Sequence, residues 1–233
     1  MYFMIDTLFG EYLIKFNDVV IQNNIKNPKV ALAIVATKRS FWLSYVVKNI
    51  IYKTDNMYQV YFFGTYSSIE YMKSIFDNKI IYKLINEIHN IKDYNRLLLN
   101  NSFWNNFSEE YTLIFQPDTI ILRNFKESDF NYPYIGAICG NIKNFVMCGG
   151  LSLRKTSIMI EICNNLTNKE KNGNVNEDII FTEKIKKNYK CPSLEECNNF
   201  AIESNGTLEK AFGIHGTDKY YICPLIRNKF KLI

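Results

Sequence analysis

From Val30 onward the chain alternates short apolar runs with segments whose apolar residues recur every three or four positions. Val30–Ala36 (VALAIVA) is continuously apolar between polar neighbours, which predicts a strand buried on both faces. Ser40 is placed to cap the next helix, where Trp42, Leu43, Val46, Val47 and Ile50 recur at helical spacing. Tyr58–Gly64 reads as a second strand, Ser67–Phe76 as a helix with Glu70 and Lys73 outward, and Lys79–Ile85 as a third strand. Asp93 is the expected cap of a helix running to Phe107, with Tyr94, Leu97, Leu98 and Asn101 on one face. Tyr111–Gln116 reads as a fourth buried strand, which Thr119–Leu122 resumes after a break. Strand and helix alternating at this pace imply βαβ units in a mostly parallel, twisted sheet flanked by helices, an α/β fold. Val30–Ala36 and Tyr111–Gln116 are its expected central strands, since their continuous runs need cover on both faces.

The rest is less regular. Residues 1–29 show weak periodicity and read as an N-terminal extension packed loosely on a single domain of residues 30–233. Tyr134–Cys139 and Leu151–Arg154 read as strands, Thr156–Leu166 and Asn176–Lys187 as helices, and Thr167–Val175 as a polar, mobile loop. Cys191–Glu203 mixes turn and strand signals, so the C-terminal half is expected to be irregular.

Composition narrows the class. Hydrophobic residues at 47% and charged residues at 22% of 233 positions exclude a disordered chain. The net charge of +5 favours anionic ligands but is too dispersed to indicate nucleic acid. Abundant Tyr, Phe, Asn, Ile and Lys follow AT-rich codons, so they mark a genome, viral or other, before they mark a function. Four Asn-x-Ser/Thr sequons, at Asn100, Asn106, Asn165 and Asn205, are the chance product of that bias. No signal-peptide pattern opens the sequence and no apolar run approaches a membrane span, so a reduced, cytoplasmic protein is expected. Cys139, Cys148 and Cys163 sit in apolar patterns as small hydrophobes, and the lack of a C-x-x-C pair argues against zinc.

Neither a G-x-G-x-x-G nor a P-loop motif occurs. Thr37, Lys38 and Arg39 follow the first strand, where an open parallel sheet binds ligands; Lys38 or Arg39 could pair with a phosphate, or form a solvated basic turn. Pro117 breaks strand pairing after Gln116 and lets Asp118 project into the same crevice, where it could hold a divalent cation with Gln116, or serve as turn chemistry. Gly149 and Gly150 permit close backbone approach to a ligand, or mark a bulge or tight turn. Asn176 reads as an N-cap followed by Glu177 and Asp178, dipole-favoured acids either of which could act as a general base. His89 reads as exposed, whereas His215 lies in a loop, where it could be structural or solvated, or bind a manganese-type ion beside carboxylates.

The order of segments carries more than any of them alone. It runs from the Val30 strand with its Thr-Lys-Arg turn through Tyr94-Asn95, Phe103-Trp104, Phe115-Gln116-Pro117-Asp118 and Tyr134-Ile135-Gly136-Ala137. Gly149-Gly150-Leu151-Ser152-Leu153-Arg154, Asn176-Glu177-Asp178 and Phe212-Gly213-Ile214-His215 follow. This order resembles uncharacterised glycosyltransferases of GT-A type over about Val30 to Tyr221, and its second half is more distantly similar to the β-1,4-galactosyltransferases. The resemblance implies a single Rossmann-like GT-A domain, a nucleotide-sugar donor such as a UDP-sugar, a divalent cation (Mn or Mg), and transfer to a hydroxyl of a glycan or protein. In its terms Asp118 matches the last Asp of the metal-binding Asp-x-Asp motif, His215 the downstream metal-ligating histidine, and Asp178 or Glu177 the acceptor-side carboxylate. Gln116 stands where the motif has its first Asp, which motivates the alternative of a catalytically inactive sugar- or protein-binding domain.

Overall fold

The computed structural model describes residues 7–21, 25, 29–139, 145–203 and 208–217. The sequon at Asn205, the sixth cysteine, Cys223, and the end of the resemblance at 218–221 lie outside them. Helix α1 (Thr7–Ile14) precedes β1 (Val30–Val35), α2 (Phe41–Lys53), β2 (Gln59–Gly64), α3 (Tyr66–Phe76) and β3 (Ile81–Leu84). Then come α4 (Ile91–Leu98), α5 (Asn101–Trp104), β4 (Tyr111–Phe115), β5 (Ile120–Ile121), β6 (Tyr134–Cys139) and β7 (Val146–Lys155). Helices α6 (Thr156–Asn164), α7 (Asn168–Lys171), α8 (Glu177–Asn188) and α9 (Leu194–Phe200), with β8 (Ala201–Ile202) and β9 (Gly213–Ile214), complete the described α-helices and strands.

The main sheet has the order β3-β2-β1-β4-β7-β6, parallel from β3 to β4 and antiparallel on both sides of β7. Every residue of β1 and β4 is buried, and both strands are interior, as their continuous apolar runs demand. This is the mixed α/β, mostly parallel architecture expected. All carboxyl ends of β1 to β4 emerge on one edge of the sheet, and the loops leaving them build the site.

Several local expectations are corrected. Residues 7–21 are not loosely packed: Phe9, Leu13 and Phe16 are buried in the main core, and Gly10 lets Trp42 of α2 lie against the α1 backbone. Ser40 occupies the N-cap position of α2 but makes no side-chain cap bond. The cap of α4 is Asn90, whose side chain accepts from the Asp93 N–H, while Asp93 accepts from the His89 N–H. The expected helix to Phe107 breaks after Leu98. Asn100 caps α5 separately, and the Trp104 indole donates to the Leu98 carbonyl, so the break buys a buried hydrogen bond instead of a continuous helix. Segment 119–122 does not resume β4. Its residues Ile120 and Ile121 pair with β9 in a second, three-stranded sheet of order β5-β9-β8. The loop 167–175 contains α7, whose capping box joins Thr167 and Glu170.

Strand β7 is longer than Leu151–Arg154, running straight through Gly149 and Gly150. Opposite β6 its register shifts between the Gly136↔Ser152 and Ile138↔Met147 pairs, so the glycines lie in a bulge. Asn176 stands at the N-cap position of α8, yet its side chain makes no cap bond and accepts from Asn95 instead. The Asn95 side-chain oxygen takes the Glu177 N–H, so α4 caps α8 across 82 positions of sequence.

Candidate functional site

A cavity of about 650 Å³ opens at the carboxyl ends of β1 and β4. The turn after β1 forms one wall with Thr37, Lys38 and Arg39, the start of α4 forms another, and Gln116 and Asp118 form the floor. Lys38 and Arg39 are exposed at the rim, with the Arg39 Nε donating to the Ser67 carbonyl at 3.0 Å. Thr37 binds neighbouring loops: its carbonyl accepts from the Thr65 hydroxyl and its hydroxyl from the Ile88 N–H. Topology alone places these residues at the crevice.

Pro117 ends β4 and turns Asp118 inward. Thr217 holds that turn by donating its N–H and its hydroxyl to the Asp118 carbonyl, at 3.1 and 2.9 Å. The same loop brings His215 over Asp118, so residues nearly a hundred positions apart meet with Nε2 and Oδ1 separated by 3.6 Å. Both side chains are buried, and Asp118 Oδ1 has no hydrogen-bond partner among the described residues. Nε2 also lies 3.0 Å from Gln116 Oε1. On its other side the ring's Nδ1 is 3.4 Å from Cys148 Sγ and 3.5 Å from Glu203 Oε2. Burial pushes the imidazole pKa down, but Cys148, Asp118 and Glu203 outweigh it and hold the ring well above its ordinary range.

The two glycines make room for side chains of the chain itself. A Cβ on Gly150 would collide with the His215 ring, and one on Gly149 with the Glu177 carboxylate and Arg154. Neither glycine lines the cavity, and nor do His215, Glu177 and Asp178; the close approach at the glycines is to side chains of the chain itself.

Glu177 and Asp178 diverge, as adjacent helical positions must. Glu177 is 2% exposed, and both its oxygens accept from Arg154, at 2.7 and 3.0 Å. Arg154 is itself fully buried, its guanidinium 4.6 Å from the Tyr134 ring centre and 5.2 Å from that of Phe181. The expected basic role therefore does not suit Glu177, whose oxygens are committed to a structural ion pair. Asp178 is only partly buried and accepts from the Gly149 and Ile179 N–H groups. Burial, reinforced by the Glu177 charge, pushes its carboxyl up to about 6.

The family model "Protein of unknown function (DUF5672)" matches residues 79–215, more than half of the chain. The chain belongs to the DUF5672 family. The match ends on His215 and spans Gln116, Asp118, the glycine pair and both acids. No curated protein matches, and the likeness to β-1,4-galactosyltransferases is not shown. Among solved structures, "Mannosyltransferase PcManGT from Pyrobaculum calidifontis in complex with GDP-Man and Mn2+" is similar at 12% identity and a TM-score of 0.48. The alignment covers 80% of this chain and 63% of that one, so the DUF5672 chain spans less than two thirds of that protein's length.

Further residues at the cavity of this DUF5672 member were not among the candidate site residues. His89 is exposed as expected, but it lies on the cavity wall with Asn90 and Tyr94. The available signal was positional: His89 follows the third strand, whose carboxyl end borders the same crevice. Trp42, read only as an apolar helix position, also lines it. Among the described residues no helix is long and apolar enough to cross a membrane.

Proposed function

We propose that this DUF5672 member is a metal-dependent glycosyltransferase, moving a sugar from a nucleotide-diphosphate sugar, of UDP-sugar type, to a hydroxyl of a glycan or protein. The observation that carries this reading is Asp118 Oδ1. A buried carboxylate oxygen without a hydrogen-bond partner among the described residues is costly, and this one, in a residue lining a cavity of nucleotide size, lies 3.6 Å from an imidazole nitrogen. A carboxylate oxygen beside an imidazole nitrogen suits a Mn²⁺-type ion, whose bonds of about 2–2.6 Å let both atoms reach it once Nε2 has given up its proton.

Such a cation, when bound, neutralises charge developing on the departing diphosphate. The chain's own residues do the rest. Lys38 and Arg39 bring positive charge to the rim where the diphosphate would enter, and Trp42 offers an aromatic face to a base or sugar. Asp178 takes the proton from the acceptor hydroxyl as that oxygen attacks the anomeric carbon. A carboxyl titrating at about 6 is ionised at neutral pH yet more basic than an ordinary aspartate, which suits a general base. Glu177 positions this acid by anchoring the first turn of α8 to Arg154.

Gln116 favours a second reading, an inactive sugar- or protein-binding domain, because its neutral amide leaves the floor with less negative charge than two acids would. Thermal melting with UDP or GDP, with and without Mn²⁺, separates the two. The enzyme is stabilised by nucleotide plus cation together, and the binding domain by glycans alone. Absence of any nucleotide shift with or without Mn²⁺ overturns the glycosyltransferase reading.

A further inference from the structure

Behind His215 lies a second cluster of ligand-type atoms that the transfer reading does not use. Cys139 ends β6, Cys148 sits in the β7 bulge, and Glu203 follows β8. The fold brings two thiol sulfurs and a carboxylate oxygen within 4.8 Å of one another, although no C-x-x-C spacing announces them. The Cys139 thiol donates its proton to Glu203 Oε2 at 2.8 Å, so a proton now occupies the place that a metal would take between sulfur and carboxylate. Cys148 is buried, while Cys139 and Glu203 are partly exposed, which gives an ion a way in.

We propose that Cys139, Cys148 and Glu203 form a zinc-type site, separate from the cation position at Asp118. Two sulfurs and one carboxylate select a soft to borderline ion over Mg²⁺ or Mn²⁺. Zinc bonds of about 2.0–2.3 Å at tetrahedral angles require neighbouring ligand atoms about 3.3–3.8 Å apart, within reach of these three after loss of the thiol proton. Solvent takes the fourth position. His215 Nδ1, 3.4 Å from Cys148 Sγ and 3.5 Å from Glu203 Oε2, donates its N–H to this negative cluster as an outer-shell partner. That contact holds the ring with Nε2 turned toward Asp118 and Gln116. The site does not depend on the glycosyltransferase reading and stands or falls separately from it.

The test titrates the reduced full-length chain with Co²⁺. Thiolate ligation is expected to produce sulfur-to-cobalt absorption in the near ultraviolet at one equivalent, which Zn²⁺ abolishes. Cys139→Ser and Cys148→Ser lose most of that absorption, whereas Asp118→Asn keeps it. No such band, or a band that survives both cysteine substitutions, overturns the proposal. A second measurement needs no variant: Zn²⁺ slows alkylation of Cys139 at least tenfold, followed peptide by peptide, while Cys191, also partly exposed, is unaffected. Equal Cys139 rates with and without Zn²⁺ overturn it as well.

Discussion

Two buried polar clusters flank adjacent glycines of β7, and they are built on opposite principles. The cluster beside Gly149 is saturated: Arg154 gives two nitrogens to Glu177, its Nε to the Ser152 hydroxyl, and its face to aromatic rings. The cluster beside Gly150 leaves Asp118 Oδ1 with no hydrogen-bond partner among the described residues, only the charge of His215 at 3.6 Å. Burial of charge is common to both, so burial does not mark the functional one. On the proposed reading incomplete satisfaction does, because the missing stabilisation is what a ligand can supply.

The largest effect expected from this contrast is on turnover. Asp178 neighbours Glu177 in sequence but is not part of the saturated pair, and Asp178→Asn should lower sugar transfer by roughly 10²–10⁴-fold with donor binding little changed. Normal turnover in a steady-state assay would return Asp178 to the role of a helix-start acid. Next in size is stability. Glu177→Gln strands a buried guanidinium and should cost about 3–5 kcal/mol in denaturant unfolding, whereas a saturated cluster that tolerates the change would erase the distinction drawn here. Asp118→Asn is the mirror experiment: folding is retained, but turnover falls by about 10²–10³-fold and Mn²⁺ no longer augments nucleotide stabilisation. A large fall in melting temperature, with cation dependence intact, would show that Asp118 is structural.

The smallest effect is in pH. Asp178 must be ionised to accept a proton, so activity should fall on acidification with half its value lost near pH 6, and Asp178→Asn should abolish that limb. Stability runs the other way. The folded carboxyl titrates at about 6 against 3.8 for an ordinary aspartate, so the folded state binds the extra proton between those values. Its contribution is complete below about pH 4 and is lost as the pH rises through 6. Comparing unfolding of the wild type with that of Asp178→Asn across this window checks the sign.

Much of the frame was legible because it depends on near neighbours in the chain. A run such as Val30–Val35 needs cover on both faces wherever it lies, and Pro117 interrupts pairing after β4 whatever the partner strand. Asp118 could be singled out from that local logic alone. Its approach to His215 was expected only through a resemblance of ordered motifs, since nothing local spans the 99 positions between Gln116 and His215.

What only tertiary structure decided are the pairings between distant groups. The identity of Glu177 says carboxylate, but Arg154, supplied by an antiparallel strand, makes it a structural anchor instead of a base. The glycine pair reads as room for a ligand, and the bulge turns that room over to Glu177 and His215. Asn176 reads as a cap, and α4 supplies the cap through Asn95. Cys139 and Cys148 lie on separate strands and Glu203 just after a third, so the three donors meet only after the sheets form. Apolar periodicity records which face of an element must leave water, whereas the partner of a polar group depends on which other element is packed against that face.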